Sequence, residues 1–315
     1  MTLNQLKYLV TIDECGNITL ASKKLNLSQP SITMQIKKLE DELGVKIFNR
    51  KNKPFVITEL GQKIISQAKK VLLEEEKIND IINQDKEFFT GKLKIGLTPS
   101  LVSSISDIII SSFEKKFKNV ELVISEVRGE DITNAIEESD IDVGITPYFL
   151  RTNNIIEQPL FYEPFVVYLP ENHKLKNIKK LDIDNFEFEN LLFTSESSIL
   201  KQVSQLFNGV NLNFTKIIES QNMQTYINLS DKGYGVVIVP FLNSLKFKNK
   251  SSQFKEFSNP VPARQICLIS LKSEPKKTLT QILKKNIITN LRGKIPFGEF
   301  KILDSQYDYQ YHKIS

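Results

Sequence analysis

Residues 28–44 of the chain read SQPSITMQIKKLEDELG, and the first part of the sequence is best interpreted from this stretch. Its apolar residues recur at spacings of four, three and four, the pattern of one buried face of an α-helix: Ile32, Ile36, Leu39 and Leu43. Ser28 is a favourable N-cap, Pro30 is tolerated in a first turn, and Gly44 can end a helix in the left-handed conformation. The stretch therefore predicts one amphipathic helix with defined ends.

The opposite face of this helix carries hydrogen-bonding, apolar and cationic side chains: Gln29, Ser31, Thr33, Met34 and Lys37. A helix about 10–12 Å across fits a DNA major groove about 12 Å wide. Residues 20–25 predict a short preceding helix, and Asn26 and Leu27 predict a tight turn, as in a helix-turn-helix. The alternative is an amphipathic surface helix with a solvated polar face, but the flanking segments favour DNA recognition.

Two short apolar segments, residues 45–49 and 56–57, follow this helix and flank a basic turn. They predict a winged hairpin whose tip can reach the DNA backbone. The first 70 residues hold twelve Lys and Arg and six Asp and Glu, a net charge of +6, whereas the whole chain carries +5. The positive charge is therefore concentrated where a phosphate-binding surface is expected.

The segment ASKKLNLSQPSITMQIKKLEDELGVKIFNR at residues 21–50, followed by VITELG, closely resembles the N-terminal DNA-binding domain of LysR-type transcriptional regulators. The family pattern is matched at Ala21, Leu25, Ser28, Gln29, Pro30, Ser31, Ile32, Thr33, Gln35, Ile36, Leu39, Glu40, Leu43, Gly44, Phe48, Arg50, Thr58 and Gly61. Ser22 and Ile47 depart from it, because Ala and Leu are commoner there. The resemblance implies a winged helix-turn-helix domain over residues 1–58.

Two kinds of DNA contact are expected, because base contacts specify a sequence and phosphate contacts position the protein. The predicted groove contacts are Gln29, Pro30, Ser31, Thr33 and Met34. The predicted phosphate contacts are Lys37, Arg50 and Lys53.

A long helix is predicted from Thr58 to about Lys86, and the linker and dimerisation helix is assigned to residues 59–91. Its seam has heptad spacing, interrupted once by a glutamate: Ile64, Ala68, Val71, Glu75, Ile78 and Ile82. We expect this helix to pair with its copy in a homodimer, and the alternative is packing within its own chain. The family resemblance further implies a tetramer on double-stranded DNA and a contact with RNA polymerase.

Beyond residue 91 strands alternate with helices, which predicts a mainly parallel α/β sheet with crossovers. We predict an effector-binding domain at residues 92–292 and a C-terminal tail at 293–315. Lobe I would comprise about 92–163 with 269–292, and lobe II about 164–268. This arrangement resembles the two-lobed, periplasmic-binding-protein-like effector domain of the same family.

Hydroxyl-bearing residues at predicted helix starts suggest a site for a small anionic effector between these lobes. The candidate residues are Thr98, Pro99, Ser100, Thr194 and Ser195, with Thr146 and Phe161 as weaker candidates. The family resemblance implies a ligand around the loop at residues 98–100. The alternative is that the Ser and Thr residues are ordinary N-caps.

Several other classes of function are disfavoured by the sequence. With two cysteines, two histidines and no metal-ligand spacing, we expect no metal and no cofactor. No catalytic arrangement stands out, which disfavours an enzyme, and a DNA-architectural protein without an effector is a further alternative. The sequence has no apolar run of 18 residues and no secretory signal, so a cytoplasmic protein without membrane contact is expected.

One subfamily of LysR-type regulators senses peroxide through a pair of cysteines in lobe II. The corresponding segment here, LLFTSESSILKQ, contains no cysteine, and Cys267 lies on a predicted strand. Peroxide sensing by that route is therefore not expected.

Overall fold

The structure is a computed structural model with two compact units, residues 1–88 and 89–315. It describes residues 1–49, 56–85, 90–114, 117–147, 149, 151–186, 190–192, 197–207, 220, 222–274 and 276–304. In this described part, no helix is both long and apolar enough to cross a membrane.

In its described residues, the first unit consists of four helices and one short hairpin. In chain order these are α1 (Leu3–Cys15), α2 (Ile18–Lys24), α3 (Gln29–Leu43), β1 (Phe48–Asn49), β2 (Val56–Ile57) and α4 (Glu59–Asp85). The strands pair antiparallel, with Phe48 opposite Ile57, so the predicted hairpin is present; its tip at 50–55 lies outside the described residues.

The core of this unit is formed by the apolar face of α1 and the predicted apolar face of α3, with one correction at the end of α3. Leu6, Leu9, Ile32, Ile36 and Leu39 are buried in one cluster. In contrast, Leu43, which was predicted to belong to the apolar face of α3, is 38% exposed, and Leu3 on α1 is 42% exposed. Each is a terminal residue of its helix, so it lies beyond the residues that enclose the core.

Helix α4 packs against α1 over its first half, which partly corrects the prediction of an intersubunit seam. Ala68 is buried in the core of the unit, and Ile64 and Val71 pack against it, whereas Ile78 is 60% exposed. The predicted interruption, Glu75, accepts a hydrogen bond from Lys7 at 2.9 Å. The first part of the predicted seam, up to Val71, therefore packs within its own chain. The exposed Ile78 lies farther along α4, which is about 40 Å long.

The second unit alternates strands and helices. Its first elements are β3 (Gly91–Leu97), α5 (Pro99–Glu114), β4 (Val120–Glu126), α6 (Ile132–Glu137), β5 (Val143–Thr146), β6 (Ile155–Tyr168), β7 (Lys180–Leu181) and β8 (Leu191–Leu192). They are followed by α7 (Ser197–Leu206), α8 (Met223–Asp231), β9 (Val236–Pro240), α9 (Phe241–Ser244), β10 (Phe254–Phe257), β11 (Val261–Leu271), α10 (Lys277–Leu291) and β12 (Phe300–Ile302). Short 3-10 helices cover Ile183–Phe186 and Lys248–Gln253. The segment FTKIIES at residues 214–220, whose sequence predicts a strand, falls largely outside the described residues.

The sheet is mixed, which corrects the prediction of a mainly parallel one. Its order is β4-β3-β5-β11-β6-β10-β7, with β9 beside β6, β8 beside β9 and β12 beside β11. Strands β3, β4 and β5 are parallel, but β11 is antiparallel to both β5 and β6. The alternation of strands and helices in the sequence did not reveal that β6 and β11 are long neighbours running in opposite directions.

Each lobe has a main hydrophobic core along these long strands. Lobe I contains β3, β4, β5, α5 and α10 around Leu97, Ile105 and Leu268. Lobe II contains β7, β8, β9, β10 and α7, with Phe165 and Val236 in its core. Strand β6 supplies Leu160 to the first core and Phe165 to the second, so this strand passes from one lobe to the other.

The described part of the predicted tail is ordered against the domain. Strand β12 pairs in parallel with β11, with Val261 opposite Phe300. Leu303 is buried in the core of lobe II, and Ile295 packs against that of lobe I. Residues 293–304 therefore contact both lobes.

Candidate nucleic-acid interface and ligand cleft

Helix α3 is formed by the local signals in its sequence. The hydroxyl oxygen of Ser28 accepts a hydrogen bond from the backbone N–H of Ser31 at 3.3 Å, and Pro30 occupies the first turn. At the other end Gly44 has φ of 69°, a left-handed conformation that costs glycine little. With Ile32 and Ile36 buried beneath it, the helix presents its polar face to solvent.

The predicted groove contacts lie on this outer face with different exposure. Gln29 and Pro30 are exposed, and Met34 is 60% exposed. Ser31 and Thr33 are half-buried, and the Thr33 hydroxyl donates to the backbone oxygen of Gln29 at 2.9 Å. Thr33 is thus already hydrogen-bonded within the helix.

Among the predicted phosphate contacts, only one can be placed. Lys37 is exposed on α3. Arg50 and Lys53 lie outside the described residues. The structure therefore describes one cationic side chain of the three.

Glu40 holds the hairpin against α3, a role that the sequence pattern did not reveal. Its side chain is buried, with the residue 1% exposed, and Oε1 accepts hydrogen bonds from the backbone N–H groups of Ile47 at 2.8 Å and Phe48 at 3.0 Å. Since a glutamate next to the apolar face of a helix is normally solvated, its residue type gives little indication of burial. Its position in the family pattern was the available signal.

Gly61 provides a second close contact in the same region. A Cβ atom at this position would clash with the backbone oxygen of Ile47 and approach the Thr58 hydroxyl. The glycine therefore lets the start of α4 lie directly on the hairpin strand.

In the second unit, a cleft of about 490 Å³ opens between the two lobes. Its lining combines the starts of two helices, the end of one strand and the segment around α9: Pro99, Ser100, Ser103, Glu126, Asn222, Met223, Gln224, Asn243, Lys246 and Phe247. Pro99 and Ser100 begin α5 in lobe I, and Asn222 caps α8, which packs in lobe II against β6, β8 and β9. Polar and charged side chains from both lobes therefore face one space.

The predicted effector residues divide between this cleft and the protein interior. Pro99 and Ser100 line it, and Thr98 lies immediately behind them, with a buried hydroxyl that has no partner among the described residues. Thr146 is buried on β5, and Phe161 is half-buried against the core of lobe I; neither belongs to the described lining. Thr194 and Ser195 lie outside the described residues.

A buried hydrogen-bond network lies beneath the cleft. Arg264 donates from both terminal nitrogens to the Ser100 hydroxyl oxygen, at 3.1 and 3.2 Å, and from Nε to Glu163 at 2.9 Å. The other carboxylate oxygen of Glu163 accepts from the backbone N–H of Leu242 at 2.8 Å. Strands β6 and β11 are thus joined to the first residues of α5 and α9.

Asn243 extends this network into the cleft. Its Nδ2 donates to the backbone oxygen of Ser100 and to the hydroxyl of Ser103, each at 3.2 Å. Its Oδ1 is buried and has no partner among the described residues. Asn243 lies on α9, directly after β9, and Lys246 follows α9. Both are far in sequence from Ser100, so no local motif indicated that they line the same cleft.

Lys246 contributes a partly desolvated cation to the lining. Burial lowers the pKa of its ammonium group, and the negative charge of Asp107 opposes this effect. A ligand carboxylate near Lys246 would stabilise the charged form further.

The thiol in this unit is poorly suited to redox chemistry. Cys267 lies on β11, as predicted, is only 4% exposed, and donates a hydrogen bond to the Glu157 carboxylate at 3.3 Å. Burial, reinforced by this hydrogen bond, raises the pKa of the thiol to about 12. The thiolate, which is the reactive form, is therefore scarce near neutral pH.

Comparison with protein families decides how these two units are classified. The model of the LysR substrate binding domain matches residues 86–286, and that of the bacterial regulatory helix-turn-helix protein, lysR family, matches residues 3–62. The chain belongs to the LysR family. It is a DNA-binding transcriptional regulator with an effector-binding domain, as the resemblances of residues 21–61 and 92–292 predicted.

Individual LysR-family proteins are similar over most of the chain. The hydrogen peroxide-inducible genes activator of Pectobacterium carotovorum is 24% identical over 295 residues, 93% of this chain and 98% of that protein. A full-length OxyR variant from Pseudomonas aeruginosa has a TM-score of 0.73 and 26% identity, covering 91% of this chain and 94% of its own. Full-length CbnR complexed with its target DNA has a TM-score of 0.62 and 19% identity, covering 91% of this chain and 100% of its own. These similarities confirm the predicted fold class.

Proposed function

We propose that this regulator recognises a dyad-like promoter site through α3 and that a small molecule in the cleft between the lobes controls its action on DNA. The polar face of α3 would enter the major groove through Gln29, Pro30, Ser31, Thr33 and Met34. Lys37, Arg50 and Lys53 would contact phosphates. A regulator of promoters acts where the chromosome is, so we place it in the cytoplasm.

A homo-oligomer would provide the symmetry that a dyad-like site requires. The exposed Ile78 on the outer half of α4 supports a dimer through this helix, because an apolar side chain there has no described partner in the core of its own unit. A tetramer and a contact with RNA polymerase follow from the family alone.

The observation that carries effector control is the cleft itself. A volume of about 490 Å³ is within the usual range for small-molecule sites, and its polar groups come from both lobes. A ligand that contacts both lobes would favour one arrangement of the lobes over others. We assign Thr98, Pro99 and Ser100 to this site, together with Thr194 and Ser195; Thr146 and Phe161 would act from behind it.

The names of relatives refer to hydrogen peroxide, but this activity does not transfer to the cysteines of this chain. The segment that corresponds to the reactive pair has no cysteine, and the Cys267 thiol has a raised pKa. We therefore propose a bound effector rather than thiol oxidation as the signal.

Thermal unfolding of the full-length protein against a panel of amino acids, carboxylates, amines, sugars and nucleosides tests effector control. A ligand specific for the native state stabilises it by about 2.7 kcal/mol at a hundredfold excess over Kd. We expect at least one compound to raise the Tm of the wild type. It should not stabilise Gln224→Trp, which fills the cleft, but should stabilise Lys232→Trp, at the exposed far end of α8. No stabilisation by any compound would contradict the proposal.

A further inference from the structure

Two helices direct their N-termini into the cleft, one from each side. Pro99 and Ser100 are the first residues of the 16-residue α5, and Met223 and Gln224 are the first of the nine-residue α8. The N–H groups of a first helical turn lack intrahelical partners, and the helix dipole places positive potential there. At α8 the Asn222 side chain already accepts a hydrogen bond from the Gln224 N–H at 3.0 Å, so this end contributes chiefly its dipole. Together with the Lys246 ammonium group, these two ends favour an anionic group of a ligand.

Asn243 points to a second requirement, a hydrogen-bond donor on the same ligand. The residue is only 3% exposed, and its Nδ2 donates to the Ser100 backbone oxygen at 3.2 Å. Because a carbonyl oxygen can only accept, this bond fixes the amide with Oδ1 as the remaining acceptor, which has no partner among the described residues. A buried acceptor without a donor is costly, so a ligand N–H or O–H group at this position would be stabilising.

Glu126 favours a ligand ammonium group over a ligand hydroxyl group as this donor. It is the last residue of β4, and it contributes the negative charge to the cleft lining that complements Lys246. A carboxylate favours an ammonium group over a neutral hydroxyl, because a hydrogen bond between charged partners is stronger. The lining therefore offers sites for one negative and one positive group.

We propose that the effector is a free amino acid, with its carboxylate toward the two helix N-termini and Lys246 and its ammonium group toward Asn243 and Glu126. This inference rests on the proposed function, because it assigns a ligand class to the same cleft. Ser103, Asn222 and Gln224 would hydrogen-bond a polar side chain, and Met223 and Phe247 would contact its methylene groups. A simple carboxylate would leave the Asn243 oxygen without a donor, and a simple amine would leave Lys246 without an anion.

Titration calorimetry of the full-length protein with each of the common amino acids tests this assignment. We expect at least one to bind, and its deaminated acid and its decarboxylated amine each to bind roughly tenfold more weakly or worse. Lys246→Met should weaken binding of the amino acid but leave binding of the decarboxylated amine unchanged. Glu126→Gln should weaken binding of the amino acid but leave binding of the deaminated acid unchanged. The control Lys232→Ala, at the exposed far end of α8, should bind like the wild type.

Two results would overturn the inference. One is the absence of binding by any amino acid at millimolar concentration. The other is a deaminated acid or decarboxylated amine that binds as tightly as its parent amino acid. Neither would by itself refute effector control, since a compound of another class that stabilises the wild type but not Gln224→Trp would still support the cleft as an effector site.

Discussion

Arg264 and Glu163 lie opposite each other on β11 and β6, with 2.8 Å between Nη2 of the guanidinium group and Oε2 of the carboxylate. Neither side chain is exposed to solvent. The pair joins the two strands that connect the lobes, and through Ser100 it also contacts the first turn of α5. It therefore stabilises the region on which both the cleft and the arrangement of the lobes depend.

Removal of one member of this pair should destabilise the second unit strongly. Arg264→Met would leave the Glu163 carboxylate buried without its cation, at a cost of about 3–5 kcal/mol. Urea unfolding of the full-length protein measures this change. The double variant Arg264→Met with Glu163→Gln should recover part of the loss, because the buried charge is gone. A single variant as stable as the wild type would contradict the role assigned to the pair.

Glu40→Ala should loosen the hairpin of the DNA-binding unit. The N–H groups of Ile47 and Phe48 would lose their shared acceptor, and each buried group deprived of its partner costs about 1–3 kcal/mol. Hydrogen exchange should show faster exchange at these two amides. The neighbouring exposed Asp41→Ala is the control and should change stability by no more than about 0.5 kcal/mol. Equal exchange in both variants would exclude the positioning role of Glu40.

Ile78→Asp should weaken self-association if α4 forms the dimer contact. A charge at this exposed apolar position would have to be desolvated in a helix pair, which raises the dissociation constant of the dimer. Sedimentation analysis over a range of protein concentrations measures it. Ser66→Asp, at an exposed polar position of the same helix, serves as the control. Unchanged association of the Ile78 variant would show that the oligomer forms through another surface.

The Cys267 thiol should resist alkylation in the folded protein. With a pKa raised to about 12, the thiolate fraction stays small until the pH approaches that value, and burial restricts access as well. Iodoacetamide labelling followed by mass spectrometry should show slow modification at pH 7 in the native protein and rapid modification after denaturation. Rapid native labelling, or loss of DNA binding after peroxide treatment by the wild type but not by Cys267→Ser, would contradict this account.

The sequence predicted features formed by neighbouring residues better than features formed by distant ones. The limits of α3 follow from Ser28, Gly44 and the apolar spacing between them, all of which are local. The direction of β11 relative to β6 depends on pairing between residues about 100 positions apart, such as Arg264 and Glu163, and alternation of strands and helices does not specify it.

The burial of polar side chains was the second kind of feature that the sequence did not predict. Glu40 and Asn243 are polar residue types that are usually solvated, so residue type alone does not indicate their burial. The hydrogen bonds that stabilise them come from backbone groups of other elements, and only the fold brings these groups together. Ser100, by contrast, was accessible to prediction because it opens a helix directly after a strand.

Selection of bound duplexes from a random DNA library by the full-length protein, followed by sequencing, tests the central claim most directly. We predict a dyad-symmetric site whose half-sites lie one helical turn, or a multiple of it, apart. Gln29→Ala should lose about 1–3 kcal/mol of discrimination at one base pair per half-site, whereas Lys37→Gln should weaken binding to all sequences and reduce the salt dependence by about one unit. Absence of an enriched sequence, or an enriched site that is unchanged by substitutions on α3, would contradict recognition of promoter DNA through this helix.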